Sequence, residues 1–113
     1  MKILKFSLQV LPIIAPFNFG EDELNLDDSV TVTCTVTKGD SPVNIWWKFS
    51  EAGSETSYNL TTNDGVVISR NSQKFSILAI EAVKARHRGN YSCFASNRAG
   101  VAHFSAYLSI NGL

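Results

Sequence analysis

Apolar and polar residues alternate with a period of two along most of this chain, and the phase predicts which side chains face inward. The run Val30-Thr31-Val32-Thr33-Cys34-Thr35-Val36 is the strictest, with Val30, Val32, Cys34 and Val36 on one face and three threonines on the other. A second run sets Ile45, Trp47 and Phe49 inward against Trp46 and Lys48. Residues 66–69 read as a short strand with Val67 and Ser69 outward. Residues 74–80 set Ser76, Leu78 and Ile80 inward against Phe75, Ile77 and Ala79. In 90–96 Tyr91, Cys93 and Ala95 point inward, and in 101–110 Phe104, Ala106, Leu108 and Ile110 do. Turn residues separate these runs, at Asp27-Asp28-Ser29, Gly39-Asp40-Ser41-Pro42, Asn63-Asp64-Gly65, Arg70 to Gln73 and Asn97-Arg98-Ala99-Gly100. No helical period, internal repeat or low-complexity tract interrupts the pattern, which predicts an all-β chain of two antiparallel sheets.

Three stretches are less regular. Pro12 to Phe19 reads as a strand, confined to a sheet edge by Pro12 and Pro16. Gly20 to Glu23 reads as a kink, after which Leu24-x-Leu26 resumes as a short strand. Glu51 to Asn63 reads as one more strand with loops. Residues 12–113 are expected to form a single domain, and residues 1–11 an extension. There Leu4, Phe6, Leu8 and Val10 alternate with polar residues, so the segment is either an added strand or a remnant of an expression vector or secretion signal.

The two cysteines, Cys34 and Cys93, stand with Trp47 between them and Tyr91 two positions before the second. This spacing is the signature of an immunoglobulin sandwich: a bridge joins two sheets, an indole packs on it and a tyrosine locks a corner. The expected core is Cys34, Cys93, Trp47, Tyr91 and Leu78, with Val83 below the corner. In immunoglobulin lettering the predicted Greek-key sheets are A-B-E-D and C-F-G, with added A′ and C′ segments. A bridge closing so long a loop stabilises by ~4 kcal/mol in the chain-entropy model and implies an oxidising compartment. The other reading of the cysteines is a pair of buried thiols. Two glycosylation sequons, Asn59-Leu60-Thr61 and Asn90-Tyr91-Ser92, agree with a secreted chain.

Charge adds mainly exclusions. Ten acidic and ten basic side chains cancel in 113 residues. No Lys/Arg cluster marks a nucleic-acid or anionic-membrane partner, and no apolar run reaches the ~18 residues of a membrane span. His87 and His103 fall on different parts of the sandwich, so no cofactor or metal is expected. No nucleophile elbow, Ser-His-Asp grouping or phosphate loop is present, and enzyme activity is not expected.

What remains is surface. The outer side of the A-B-E-D sheet carries Thr31, Thr33, Thr35, Val67, Ser69, Phe75, Ile77 and Ala79, a flat apolar-and-hydroxyl face with almost no charge. The outer side of the C-F-G sheet carries Trp46, Phe94 and Tyr107, with Lys48 and His103 near. A contiguous apolar patch of this kind marks an interface more often than scattered apolar residues do. A flat face can pair with its own copy across a two-fold axis.

The run Val43-Asn44-Ile45-Trp46-Trp47-Lys48, the segment Ser76-x-Leu78-x-Ile80 and Asn97-Arg98-Ala99-Gly100 resemble an I-set immunoglobulin domain. Pro12 to Gly20, Lys38 to Ile45 and His87 to Cys93 resemble more specifically a variable immunoglobulin domain of arthropod Dscam, the Down syndrome cell adhesion molecule family. The similar types are the seventh domain of the long form and the first domain of the shortened chelicerate forms. The resemblance implies an extracellular, isoform-specific adhesion domain on a cell-surface membrane protein. It implies an antiparallel homodimer formed in trans through the A-B-D-E face, with no membrane insertion by the domain itself. Two positions depart from the I-set pattern: His87 stands where an Asp usually pairs with a basic residue near strand D, and Asp28 where the A′–B turn usually has Gly. The competing functional readings are a structural I-set spacer and a heterophilic receptor or immune-type module.

Overall fold

The computed structural model describes residues 9–20, 23–70 and 72–113. Its strands are β1 (Ile13–Ile14), β2 (Val30–Lys38), β3 (Asn44–Glu51), β4 (Tyr58–Leu60), β5 (Val66–Arg70), β6 (Phe75–Ile80), β7 (Gly89–Asn97) and β8 (Gly100–Leu108). One 3-10 turn, Ala85–His87, precedes β7. The strands form two four-stranded sheets in the orders β1-β2-β6-β5 and β4-β3-β7-β8, every pairing antiparallel. These are the expected A-B-E-D and C′-C-F-G layers.

Alternation explains the core. Val30, Val32, Cys34 and Val36 of β2 are buried, as are Ile45, Trp47 and Phe49 of β3 and Leu78 and Ile80 of β6. Tyr91, Cys93 and Ala95 complete the opposite wall, and Val83 and Leu108 close the lower end. Cys34 and Cys93 are bonded, with their Cα atoms 6.3 Å apart. Trp47 packs in the same core, and its Nε1–H donates to Ser76 Oγ at 3.0 Å. Ser76 Oγ donates in turn to the Ser69 carbonyl at 3.2 Å. The inward serine on an otherwise apolar strand thus satisfies a buried indole N–H.

The amino-terminal segment departs from expectation. Only Ile13–Ile14 pair as a strand, because Pro12 and Pro16 bring no N–H to a ladder. Ala15 N–H still donates to the Thr35 carbonyl at 2.9 Å before the chain turns inward. Phe17 then meets Trp47 and Phe104 with ring centroids 5.6 and 5.0 Å away, and Phe19 meets Tyr91 at 5.2 Å. The A′ strand expected at Leu24–Leu26 does not form. Asn25 N–H bonds the Asp28 carboxylate at 2.8 Å and Asp28 N–H bonds the Asn25 carbonyl at 3.1 Å, folding this stretch into a turn. Two bonds, from Asn111 N–H to the Leu24 carbonyl at 2.7 Å and from the Asn111 amide to Asn25 Oδ1 at 3.2 Å, tie it to the carboxy-terminal end of the other sheet. The left-handed residue of this turn is Asp27, at φ 71°, and not Asp28. Most of the amino-terminal extension lies outside the described residues. Val10 and Leu11 are described and are not strand. Val10 is held by Asp40, whose carboxylate accepts its N–H at 2.6 Å, and by the Asn97 amide, which donates to its carbonyl at 2.6 Å.

Candidate self-association face

The corner before β7 sets the phase of the whole second sheet. Tyr91 is buried, and its hydroxyl donates to the His87 carbonyl at 2.6 Å. Burial pushes that hydroxyl's pKa well above the ordinary tyrosine range, with a smaller push from Tyr58. His87 is buried as well. Its Nδ1 accepts the Lys84 N–H at 2.8 Å, so the ring proton sits on Nε2, which donates to the Asp64 carbonyl at 2.8 Å. Arg86 Nε meets the Asp64 carboxylate at 2.7 Å. The corner is therefore still tied to the turn before β5, but with the basic partner on the corner and the acid beside the strand. The Arg86 hydrogen bond holds the Asp64 carboxyl below the usual aspartate range; partial desolvation opposes it, and the charge of Arg86 adds to the lowering. Lys84 pairs similarly with Asp27.

With the inner phase set, the outer residues of the first sheet fall into rows. Register places Thr31, Ala79 and Val67 side by side across β2, β6 and β5. The next row is Thr33, Ile77 and Ser69, and a third sets Thr35 beside Phe75. All eight residues named from the sequence lie on this one face. Val67 is 53% exposed, while Phe75, Ile77 and Ala79 are half-buried by their neighbours. Nearby cations are turned to the rim. Arg70 donates to the Val43 carbonyl at 2.6 Å and to Asn44 Oδ1 at 3.2 Å, and Lys74 Nζ reaches the Gly39 carbonyl at 3.2 Å. The centre of the face is uncharged because it lacks ionisable side chains, and Arg70 and Lys74 at its edge are held elsewhere.

One exposed residue at the edge of this sheet escapes sequence reasoning. Ile13 on β1 is 50% exposed, while Ile14 beside it is buried. Ile13 is therefore exposed at the β1 edge, where a register shift pairs it with Lys38. The segment Pro12-Ile13-Ile14-Ala15 has no alternation to separate the two isoleucines; the register shift between the Ile13–Lys38 and Ile14–Val36 pairs does.

The opposite face is built differently. Trp46 and Phe94 stack with centroids 5.5 Å apart at 12°, and His103 continues the stack on Phe94 at 5.2 Å. Lys48 Nζ lies 5.4 Å from the Phe94 centroid, a cation–π contact worth ~0.5–1 kcal/mol at an exposed site. These rings cover one another, so much of their apolar area is already used within the chain. Tyr107 does not join them. It is 57% exposed and sits beside Asn90, beyond the polar row Asn59, Lys48, Ser92 and Ser105. The grouping of Trp46, Phe94 and Tyr107 as one patch is thus corrected to a stack of Trp46, Phe94 and His103, with Tyr107 apart.

Among the described residues no three His, Cys, Asp or Glu side chains converge as a metal site. A cleft of about 280 Å³ lies between β3, β4 and the corner, lined by Glu51, Tyr58, Asp64, Arg86 and His87 among others. Asp64, Arg86 and His87 of its lining are engaged in the corner pairing.

The paired sheets, the bridge and the tyrosine corner define the class, and the family model described as an immunoglobulin domain matches residues 12–97. The chain belongs to the immunoglobulin domain family, which is a binding and not a catalytic fold in this branch. Within the family it is similar to the cell adhesion molecule Dscam1 of Drosophila melanogaster, 34% identical over 108 residues, covering 96% of this chain and 5% of Dscam1. The chain thus spans a small part of that relative's length. Among solved structures it is similar to the Dscam1 Ig7 domain, isoform 5, at 37% identity and a TM-score of 0.76, covering 89% of this chain and 97% of that one. The titin I-band fragment I67–I69 shares the fold, at 24% identity and a TM-score of 0.70, with 89% of this chain and 32% of that one covered. Among the described residues no helix is long and apolar enough to cross a membrane.

Proposed function

We propose that this is an extracellular adhesion domain that binds its own copy on an apposed cell through the outer face of the β1-β2-β6-β5 sheet. The observation that carries the reading is the uncharged, row-ordered face of Thr31, Ala79, Val67, Thr33, Ile77, Ser69, Thr35 and Phe75. Across a two-fold axis the same patch serves both copies and only residues on the axis meet themselves, so a charge at the centre of the patch would repel its own copy. This patch has none at its centre. Antiparallel pairing lays one copy's rows against the other's, with Ile77 central in both. The similarity to Dscam1 supports adhesion as the setting.

Sedimentation over a concentration series tests the reading. The native domain is expected to show a concentration-dependent dimer and Ile77→Asp only monomer, with both equally folded by circular dichroism. Each copy loses an apolar contact worth about 1.5–3 kcal/mol, so the dimer loses at least about 3 kcal/mol, or about 100-fold in affinity. Phe94→Asp is expected to leave the dimer intact. A dimer lost in Phe94→Asp and kept in Ile77→Asp would move the site to the stacked aromatic face.

A further inference from the structure

The two sequons lie on the same sheet. Asn59 on β4 stands opposite Lys48, and Asn90 on β7 stands between Ser50 and Tyr107. Lys48 points outward over Phe94, and Tyr107 is exposed, so by register both asparagine side chains leave the outer face of β4-β3-β7-β8. Asn59 is exposed on the edge strand, and Asn90 is half-buried by its neighbours. Asn97 and Asn111 have their amides engaged with the Val10 and Asp40 carbonyls and with Asn25, whereas no side-chain hydrogen bond holds Asn59 or Asn90 among the described residues. The outer face of the opposite sheet has no sequon.

We infer that Asn59 and Asn90 carry N-linked glycans that cover the β4-β3-β7-β8 face, so that glycosylation leaves only the opposite sheet bare for pairing. The face-selection part rests on the self-pairing reading; the placement of the sugars does not. The donor is a lipid-linked pyrophosphate oligosaccharide. A bond forms between the side-chain Nδ2 and sugar C1 as the C1–O bond to pyrophosphate breaks; the lipid pyrophosphate leaves, and the nitrogen gives up one proton. Each attached glycan is bulky and hydrated. One rises from the edge strand and the other beside Tyr107. The Asn59 glycan stands at the β4 end of the polar row that runs to Ser105 and caps the exposed edge of β4, where another strand could otherwise add, while the Asn90 glycan stands in the neighbouring row beside Tyr107.

The test uses the chain secreted from a eukaryotic host. Intact mass before and after enzymatic deglycosylation is expected to reveal an oligosaccharide at each site, with one lost in Asn59→Gln and the other in Asn90→Gln. Thr61→Ala and Ser92→Ala remove the same sequons without touching the asparagines, should a glutamine variant fail to fold. Dimer affinity is expected to agree within about threefold between the glycosylated protein and the doubly substituted one. Thr31→Asn completes a new sequon with Val32 and Thr33 on the opposite face, and its glycan is expected to abolish the dimer, while Thr31→Gln keeps it. A secreted protein with no oligosaccharide at either asparagine overturns the inference. So does a dimer strengthened more than about tenfold by removing both sequons, since that places the sugars on the pairing face. Oligosaccharide at both sites with association in neither form overturns the self-pairing on which face selection rests, and leaves the sugar placement standing.

Discussion

Replacing His87 with phenylalanine isolates what the unusual corner residue does. An aromatic ring stays, somewhat larger than the imidazole, and both nitrogens go. His87 is 3% exposed, so the substitution acts inside the fold. The Lys84 N–H loses its acceptor and the Asp64 carbonyl its donor, each previously at 2.8 Å. An orphaned part-buried N–H costs about 1–3 kcal/mol, and the exposed Asp64 carbonyl, which turns to water, about 0.5–1.5 kcal/mol. The added apolar ring offsets part of this, leaving a net loss of about 2 kcal/mol. Urea unfolding of the oxidised protein reads it directly. With a slope of about 1–3 kcal/mol/M, the midpoint drops by about 1 M. His87→Asn keeps an acceptor for Lys84 and is expected to fall between. A midpoint that His87→Phe leaves unmoved or raises refutes the reasoning, since the ring nitrogens would then contribute nothing.

Two further outcomes follow from the same corner. Gly89, at φ 150°, has no room for a side chain: a Cβ there would stand 2.2 Å from the Ser50 carbonyl oxygen and 2.8 Å from the Phe49 ring. Gly89→Ala is therefore expected to cost about 3 kcal/mol or more and to lower the thermal midpoint by at least about 10 °C, and a native-like melt would contradict the close approach. Asp64 has its carboxyl pKa lowered in the folded state, so its pairing with Arg86 stabilises above the ordinary aspartate value and is lost as pH falls through the lowered one. Thermal midpoints from about pH 7 to about pH 2.5 are expected to fall more steeply below about pH 4 in the native protein than in Asp64→Asn, and parallel curves would show that the pairing carries no stability.

The sheets were legible because each strand buries one face. A one-residue slip would expose a whole apolar set, so the phase of Val30–Val36 or Tyr91–Ala95 had one solution. That same phase exposed Phe75 and Ile77 as outward. Residues whose place depends on partners rather than phase were not legible. Ile13 is exposed and Ile14 buried because a register shift against β2 separates them. Leu24–Leu26 carries a strand-like pattern, but the Asn25 and Asp28 hydrogen bonds fold it into a turn. Tyr107 shares parity with the outward face yet sits across a polar row from the stacked rings, a distance that parity does not encode. The His87 departure was visible in the sequence. The compensating Arg86–Asp64 pair was not, because it joins residues 22 positions apart through the fold.

The pairing face itself can be seen without mutation. In a mixture of isotope-labelled and unlabelled copies, intermolecular nuclear Overhauser contacts identify the protons that meet across the dimer. The account predicts contacts from the Ile77 and Val67 methyls and from the Phe75 ring to the unlabelled copy. Contacts from Trp46, Phe94 or Tyr107 instead, with Ile77 silent at concentrations where the dimer is populated, would contradict it.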